Sequence, residues 1–182
     1  MRKRPRNHRP RNLLTPRGVG AIGMAFALLG YLVAPPSSPR RAEFVWNGSA
    51  SAPIGLYRVI HTGKLAPGEL VLSAPPPSLA AFAARRGYLP QDVPLVKRIA
   101  AQEKDVVCAR GKALFINGRF AAQRLGADGK GRPLPAWSGC QTLRAGEVFL
   151  LMANVRTSFD GRYFGPTKIS EIAGTLRPLW TR

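Results

Sequence analysis

From Gly55 to Trp180 the chain is cut into short β-prone runs: GLYRVI, GELVLSA, PLVKRIAA, KDVVCA, ALFI, RFAA, GEVFLLM and GTLRPLW. Each holds β-branched or aromatic residues, and Gly, Pro or Asn separates most of them. Punctuation this frequent leaves room for strands and little else. ALFI-NG-RFAA reads as a hairpin, because Asn117-Gly118 suits a two-residue turn with positive φ at both positions. One segment reads as a helix: SLAAFAARRG, with Ser78 as N-cap, Leu79 and Phe82 three apart, and Gly87 as its stop. The expectation is a mainly β, twisted and partly closed domain with a small helical insertion.

The N-terminal part differs. Residues 1–18 carry seven Lys/Arg and no acid, and Val19 to Ala34 carry no charge. With Gly18 the uncharged stretch reaches about 17 residues, the lower end for a spanning helix. The basic flank keeps the N-terminus cytoplasmic under the positive-inside rule. The chain is thus expected to comprise a basic cytoplasmic tail (1–17), one N-terminal transmembrane anchor (18–34), a stiff Pro/Ser linker (35–42) and an exported, periplasmic domain (43–182). A cleaved signal peptide is the alternative, but Leu32 stands where a small residue should precede the cut and Pro35 would follow it.

The net charge of +19 raises nucleic acid as a partner. The tail is too short and Pro-broken to fold as a DNA-binding module, and no nucleic-acid motif is present, so no nucleic acid is expected. A basic domain also suits anionic lipid. Cys108 and Cys140 both lie in the exported part, where an oxidising compartment would join them. Two cysteines and one exported histidine, His61, do not make a zinc site, and no cofactor is expected.

The loop NGSASAPIGLY (47–57) holds Ser49 and Ser51, either turn filler or a nucleophile. A nucleophilic serine needs a base. His8 sits in the tail, and His61 is on a polar turn. A lysine serves if burial lowers its pKa from about 10.4 by several units. In VPLVKRIAA, period two puts Leu95, Lys97 and Ile99 on one face, so Lys97 has apolar neighbours on both sides. The competing explanation is an edge-strand lysine that blocks aggregation.

Three segments together resemble the type I signal peptidase clan of Ser/Lys membrane proteases: Ser49-x-Ser51 before Pro53, KRIAAQEKDVV (97–107), and SFDGRYFG (158–165) with its Ser-x-Asp-x-Arg-x-x-Gly form. Only Ala52 separates Ser51 from Pro53, and Gly55-x-Tyr57 follows. That spacing resembles the conjugative-transfer, TraF-type branch, whose members process proteins of conjugation and type IV secretion, rather than general leader peptidases. The resemblance implies a signal-peptidase-like β fold. It implies Ser51 as nucleophile, Lys97 as general base, and the Ser51 N–H with the Ser49 hydroxyl as oxyanion hole. Ser158 would hydrogen-bond and orient Lys97, while Asp160 and Arg162 brace the loop. The implied substrate is an exported, pilin-type precursor processed at the outer face of the inner membrane. A general signal peptidase and a non-catalytic envelope scaffold are the alternative functions. Last, the helix 78–87 with Tyr88 and Leu89 either packs Leu79 and Phe82 onto the β core or rests them on the lipid interface.

Overall fold

The computed structural model describes residues 42–61 and 65–182. The tail, the anchor and the linker up to Arg41 lie outside the described residues. Among the described residues no helix is long and apolar enough to cross a membrane.

The chain is mainly β. In order it forms β1 (Phe44–Asn47), β2 (Gly55–Ile60), β3 (Leu70–Ser73), α1 (Pro77–Arg86), β4 (Leu95–Ala101), β5 (Val106–Arg110), β6 (Ala113–Ile116), β7 (Arg119–Gln123), β8 (Gly139–Thr142), β9 (Glu147–Leu150), the single-turn α2 (Gly161–Phe164), β10 (Thr167–Lys168) and β11 (Ile172–Thr181). A seven-stranded sheet runs β1-β2-β11-β3-β4-β9-β10, and a four-stranded sheet runs β7-β6-β5-β8.

Burial explains which runs became inner strands. All four residues of β3 are buried, so both faces of the large sheet are covered at its centre. On one side Leu70 and Leu72 pack with Tyr57, Val59, Val96 and Leu176. On the other, Val71 packs with Ile99, Val148 and Leu150. A further core of Ala101, Val107, Leu114, Ala122 and Phe149 joins the two sheets. Hence β4 and β9 contribute to the cores of both sheets.

The Asn117-Gly118 turn has φ of 50° and 75° and closes the β6–β7 hairpin with Ile116 opposite Arg119. Gly87 ends α1 at φ 71°, its N–H bonded to the carbonyl of Ala84. Ser78, read as the N-cap, lies inside the helix instead, and the cap is Pro76 with no side-chain hydrogen bond. Pro77 starts the helix because its ring presets φ and the N–H it lacks has no acceptor in the first turn. The helix packs inward. Leu79, Ala80 and Ala83 are buried, and Phe82 stacks on Phe159 with ring centroids 5.9 Å apart.

Three strands have no counterpart among the runs read from sequence: β1, β8 and β10. Every residue of β8, GCQT, is exposed, so no burial pattern marks it. It is held by pairing with β5, where Cys108 faces Cys140 and the two are bonded at 2.09 Å.

Candidate active site

The Ser49/Ser51 loop joins β1 to β2, and its shape is set by three residues outside the serines. Asn47 and Gly55 are register partners that close it. The Asn47 side-chain amide is buried and donates to the carbonyls of Ser49, Ala52 and Pro53 at 3.0, 3.1 and 3.0 Å. Its oxygen accepts the Ser49 N–H at 3.1 Å. From the other side the Tyr57 hydroxyl donates to the Pro53 carbonyl at 2.6 Å. Gly55 is required by close approach: a Cβ there would lie 2.0 Å from the Trp180 carbonyl oxygen on β11. The Gly-x-Tyr after the proline is therefore scaffolding for the serines. Asn47 went unread as a site residue, although an Asn before Gly-Ser is a turn-forming signal.

Lys97 lies on β4 opposite Val71. It is 3 % exposed, and its Nζ donates to Ser51 Oγ at 2.8 Å. Ser49 Oγ donates to the same oxygen at 3.0 Å and accepts the Ser51 N–H at 3.2 Å. Ser49, Ser51 and Lys97 thus form one hydrogen-bonded chain. Burial pushes the Lys97 pKa down from 10.5 to about 8, with Asp160 opposing and Arg162 reinforcing the shift. Desolvation disfavours the ammonium, which leaves a usable fraction of neutral amine near neutral pH. A neutral amine accepts the Ser51 hydroxyl proton through the same contact, which is what a serine nucleophile needs.

Asp160 and Arg162 are both fully buried. Arg162 Nε and Nη2 reach the two Asp160 oxygens at 2.9 and 3.0 Å. Nη2 also reaches the carbonyls of Met152 and Val155 at 2.7 and 2.9 Å, and Nη1 those of Gln123 and Arg156 at 3.3 Å. Asp160 also caps α2 through the Arg162 N–H and accepts the Met152 N–H at 3.0 Å. The ion pair therefore ties the 152–156 segment and the end of β7 to the segment carrying Ser158. Gly161 is again a close-approach glycine, since a Cβ would meet the Leu150 carbonyl oxygen at 2.7 Å. Gly165 ends α2 at φ 79°.

Ser158 departs from expectation. It is 2 % exposed and borders the same cavity, but its Oγ makes no hydrogen bond among the described residues. The amine of Lys97 is directed to Ser51, and the Ser158 backbone is held by its own turn, N–H to the Val155 carbonyl at 3.1 Å. His61 takes no part: its Nδ1 lies 3.0 Å from the Ala173 carbonyl oxygen, and it does not line the cavity. No group of three or more His, Cys, Asp or Glu is placed to hold a metal among the described residues.

Ser49, Ser51, Lys97 and Ser158 open onto a cavity of about 720 Å³. Its rim includes Trp46 of β1, and its remaining lining is mostly apolar, from Leu95, Val96, Phe159 and the segments around Tyr88 and Leu134.

The profile of the family described as signal peptidase, peptidase S26, matches residues 15–180. The plasmid transfer protein TraF of Escherichia coli is 36% identical over 146 residues, covering 74% of this chain and 81% of that protein. The conjugal transfer protein TraF of Agrobacterium tumefaciens (strain 15955) is 34% identical over 146 residues with the same coverage. Among solved structures, a signal peptidase I from Enterococcus faecalis V583 matches with a TM-score of 0.38 and 20% identity, over 63% of this chain and 98% of that one.

Proposed function

The chain belongs to the signal peptidase family, peptidase S26, in its TraF-type branch, and from that premise we propose that it is a serine endopeptidase working with a Ser51/Lys97 dyad. The observation that carries the reading is the 2.8 Å contact between Ser51 Oγ and a lysine that is 3 % exposed. Neutral Lys97 takes the Ser51 proton as Oγ attacks the scissile carbonyl. The negative charge that develops on the carbonyl oxygen needs donors. The Ser51 N–H and the Ser49 O–H supply them by leaving each other: both are spent on the Ser49–Ser51 contacts in the free protein and are released together. Turning the Ser49 O–H away also frees a lone pair on the attacking Oγ. Protonated Lys97 then gives its proton to the leaving amine, which departs with one fragment. Water, deprotonated by Lys97 in turn, cleaves the ester on Ser51 and regenerates the dyad.

The substrate we propose is an exported precursor of pilin type, processed for conjugal transfer at the periplasmic face of the inner membrane, with residues 18–34 as anchor. The names of the relatives support the conjugal setting. Membrane proximity is supported by an exposed aromatic face on β1 and β11 beside the cavity, where Trp46 stacks on Trp180 at 5.7 Å. The test uses the full-length chain in detergent with a serine-reactive acyl probe and an exported precursor. Ser51 is expected to be labelled, labelling to vanish in Lys97→Ala, and processing to vanish in Ser51→Ala and Lys97→Ala while the fold persists. Unimpaired labelling and processing by Lys97→Ala would remove the dyad.

A further inference from the structure

The wall of the cavity formed by Tyr88–Leu89 and the 125–134 loop lies outside all three motif segments. Asp128 is its centre. Its carboxylate takes four hydrogen bonds: from the Tyr88 hydroxyl at 2.6 Å, Arg132 Nε at 2.7 Å, and the N–H groups of Lys130 and Arg132 at 2.9 Å. Arg132 Nη2 lies 2.7 Å from the same carboxylate and donates to the Arg86 carbonyl at the end of α1, at 3.0 Å. Its guanidinium lies 5.7 Å from the centre of the Tyr88 ring. The Ala127–Pro133 bridge closes the loop on itself.

This clasp reaches the segment carrying Ser158 and Asp160 through aromatic contacts. Tyr88 packs on Phe159 at 5.5 Å, and Phe159 stacks on Tyr163 at 5.6 Å. The Tyr163 hydroxyl accepts the Leu125 N–H at 3.2 Å, which returns the path to the loop. Leu89, Leu125, Leu134 and Phe159 line the cavity together with Ser51 and Lys97. The Asp128 oxygens, fully engaged, offer little to a polar guest. An apolar guest would cover apolar surface that is otherwise wet.

We infer that the Tyr88–Asp128–Arg132 clasp positions a preformed apolar subsite, continuous with the Ser51 centre, that selects a large apolar residue of the precursor. The inference rests on the peptidase reading above. Asp128 and Tyr88 act here through Leu89, Leu125 and Leu134 and are positioning residues. A rigid wall binds such a side chain without first having to be ordered, so loosening it weakens binding rather than the chemical step.

The experiment uses the full-length chain in detergent and a panel of precursor peptides with Ala, Leu or Phe placed singly at each position around the cut. At one position the unmodified protein is expected to favour Leu or Phe over Ala by about tenfold or more in kcat/KM, the scale of an apolar pocket contact. Tyr88→Phe and Asp128→Ala should erase that preference by raising KM with kcat unchanged, and Asp128→Asn should restore part of it. Labelling of Ser51 by the small acyl probe, which does not need the subsite, should proceed at the unmodified rate in all three. Absence of any large-apolar preference, or its survival in both Tyr88→Phe and Asp128→Ala, would overturn the inference. Should Asp128→Ala fail to fold, Tyr88→Phe decides alone, since it keeps the ring and every Asp128–Arg132 bond. Failure of the probe to label Ser51 in the unmodified protein would instead strike the peptidase reading.

Discussion

Lys97 owes its value to a burial that also weakens the fold. With a pKa of about 8, about a tenth of the chains hold a neutral Lys97 at pH 7. Activity should therefore climb from pH 6 and level off above about 8, which a pH profile of kcat/KM for a precursor peptide would check. The sign for stability follows from the same shift. Between about 8 and 10.5 the unfolded chain holds a proton on this amine that the folded chain has released, so stability rises with pH through that window. Below it, the buried ammonium costs about 3 kcal/mol, given about 1.4 kcal/mol per pKa unit. Lys97→Met keeps the length and drops the charge. It is expected to be inactive and more stable at pH 7 by up to that amount, with the advantage gone at pH 10.5. Urea titrations of both proteins at the two pH values test this, and a pH-independent difference would contradict it. Asn47 is the counterpart in the loop. Asn47→Ala removes a donor from three carbonyls; Pro53 keeps the Tyr57 hydroxyl and Ser49 the Ala52 N–H, so the Ala52 carbonyl is the one stranded, and a loss of about 1–3 kcal/mol is expected. Activity should fall further than stability predicts, because Ser49 loses its N–H anchor as well.

At the scale of elements, the parts that announce themselves in the sequence are those whose reason is local. The Asn117-Gly118 hairpin and the Gly87 stop follow from backbone conformations that few residues adopt, so they are legible from two letters each. Inner strands such as β3 and β4 are legible because burial makes them apolar. The exposed β8 is not, because its strand state is imposed by β5 and by Cys108–Cys140. Closing that loop of 32 residues' separation is worth about 4 kcal/mol in the chain-entropy account, so reduction should lower the denaturant midpoint accordingly. The site divides in the same way. Ser51, Lys97 and the Asp160/Arg162 segment can be found by pattern, whereas the partners of Arg162 are carbonyls scattered from residue 123 to 156 and have no sequence signature. The same holds for the Trp180 carbonyl that forbids a Cβ at Gly55. Arg162→Ala would strand the buried Asp160 carboxylate and is expected to cost about 3–5 kcal/mol, against little for the exposed Arg177→Ala. Thermal unfolding of the two variants measures the contrast.

For the molecule as a whole, the exposed face of the large sheet bears on the proposed membrane setting. Register places Trp46, Leu56 and Trp180 in one row, and Phe44, Arg58 and Arg177 in the next. Phe44, Trp46 and Trp180 are each more than half exposed. Aromatic rings beside arginines are what a lipid headgroup region accommodates, the rings at the acyl boundary and the cations on anionic phosphates. Trp46 also borders the cavity, so a face resting on lipid would bring Ser51 to substrates emerging from the membrane. The chain has three tryptophans, which makes the orientation measurable. In vesicles containing anionic lipid brominated on the acyl chain, the Trp137→Phe protein reports Trp46 and Trp180 alone, and its fluorescence should be strongly quenched. The Trp46→Phe/Trp180→Phe protein reports Trp137, whose indole is bonded to the Gly161 carbonyl inside the domain, and should be quenched little. Equal quenching of the two proteins would mean that this face does not meet the bilayer.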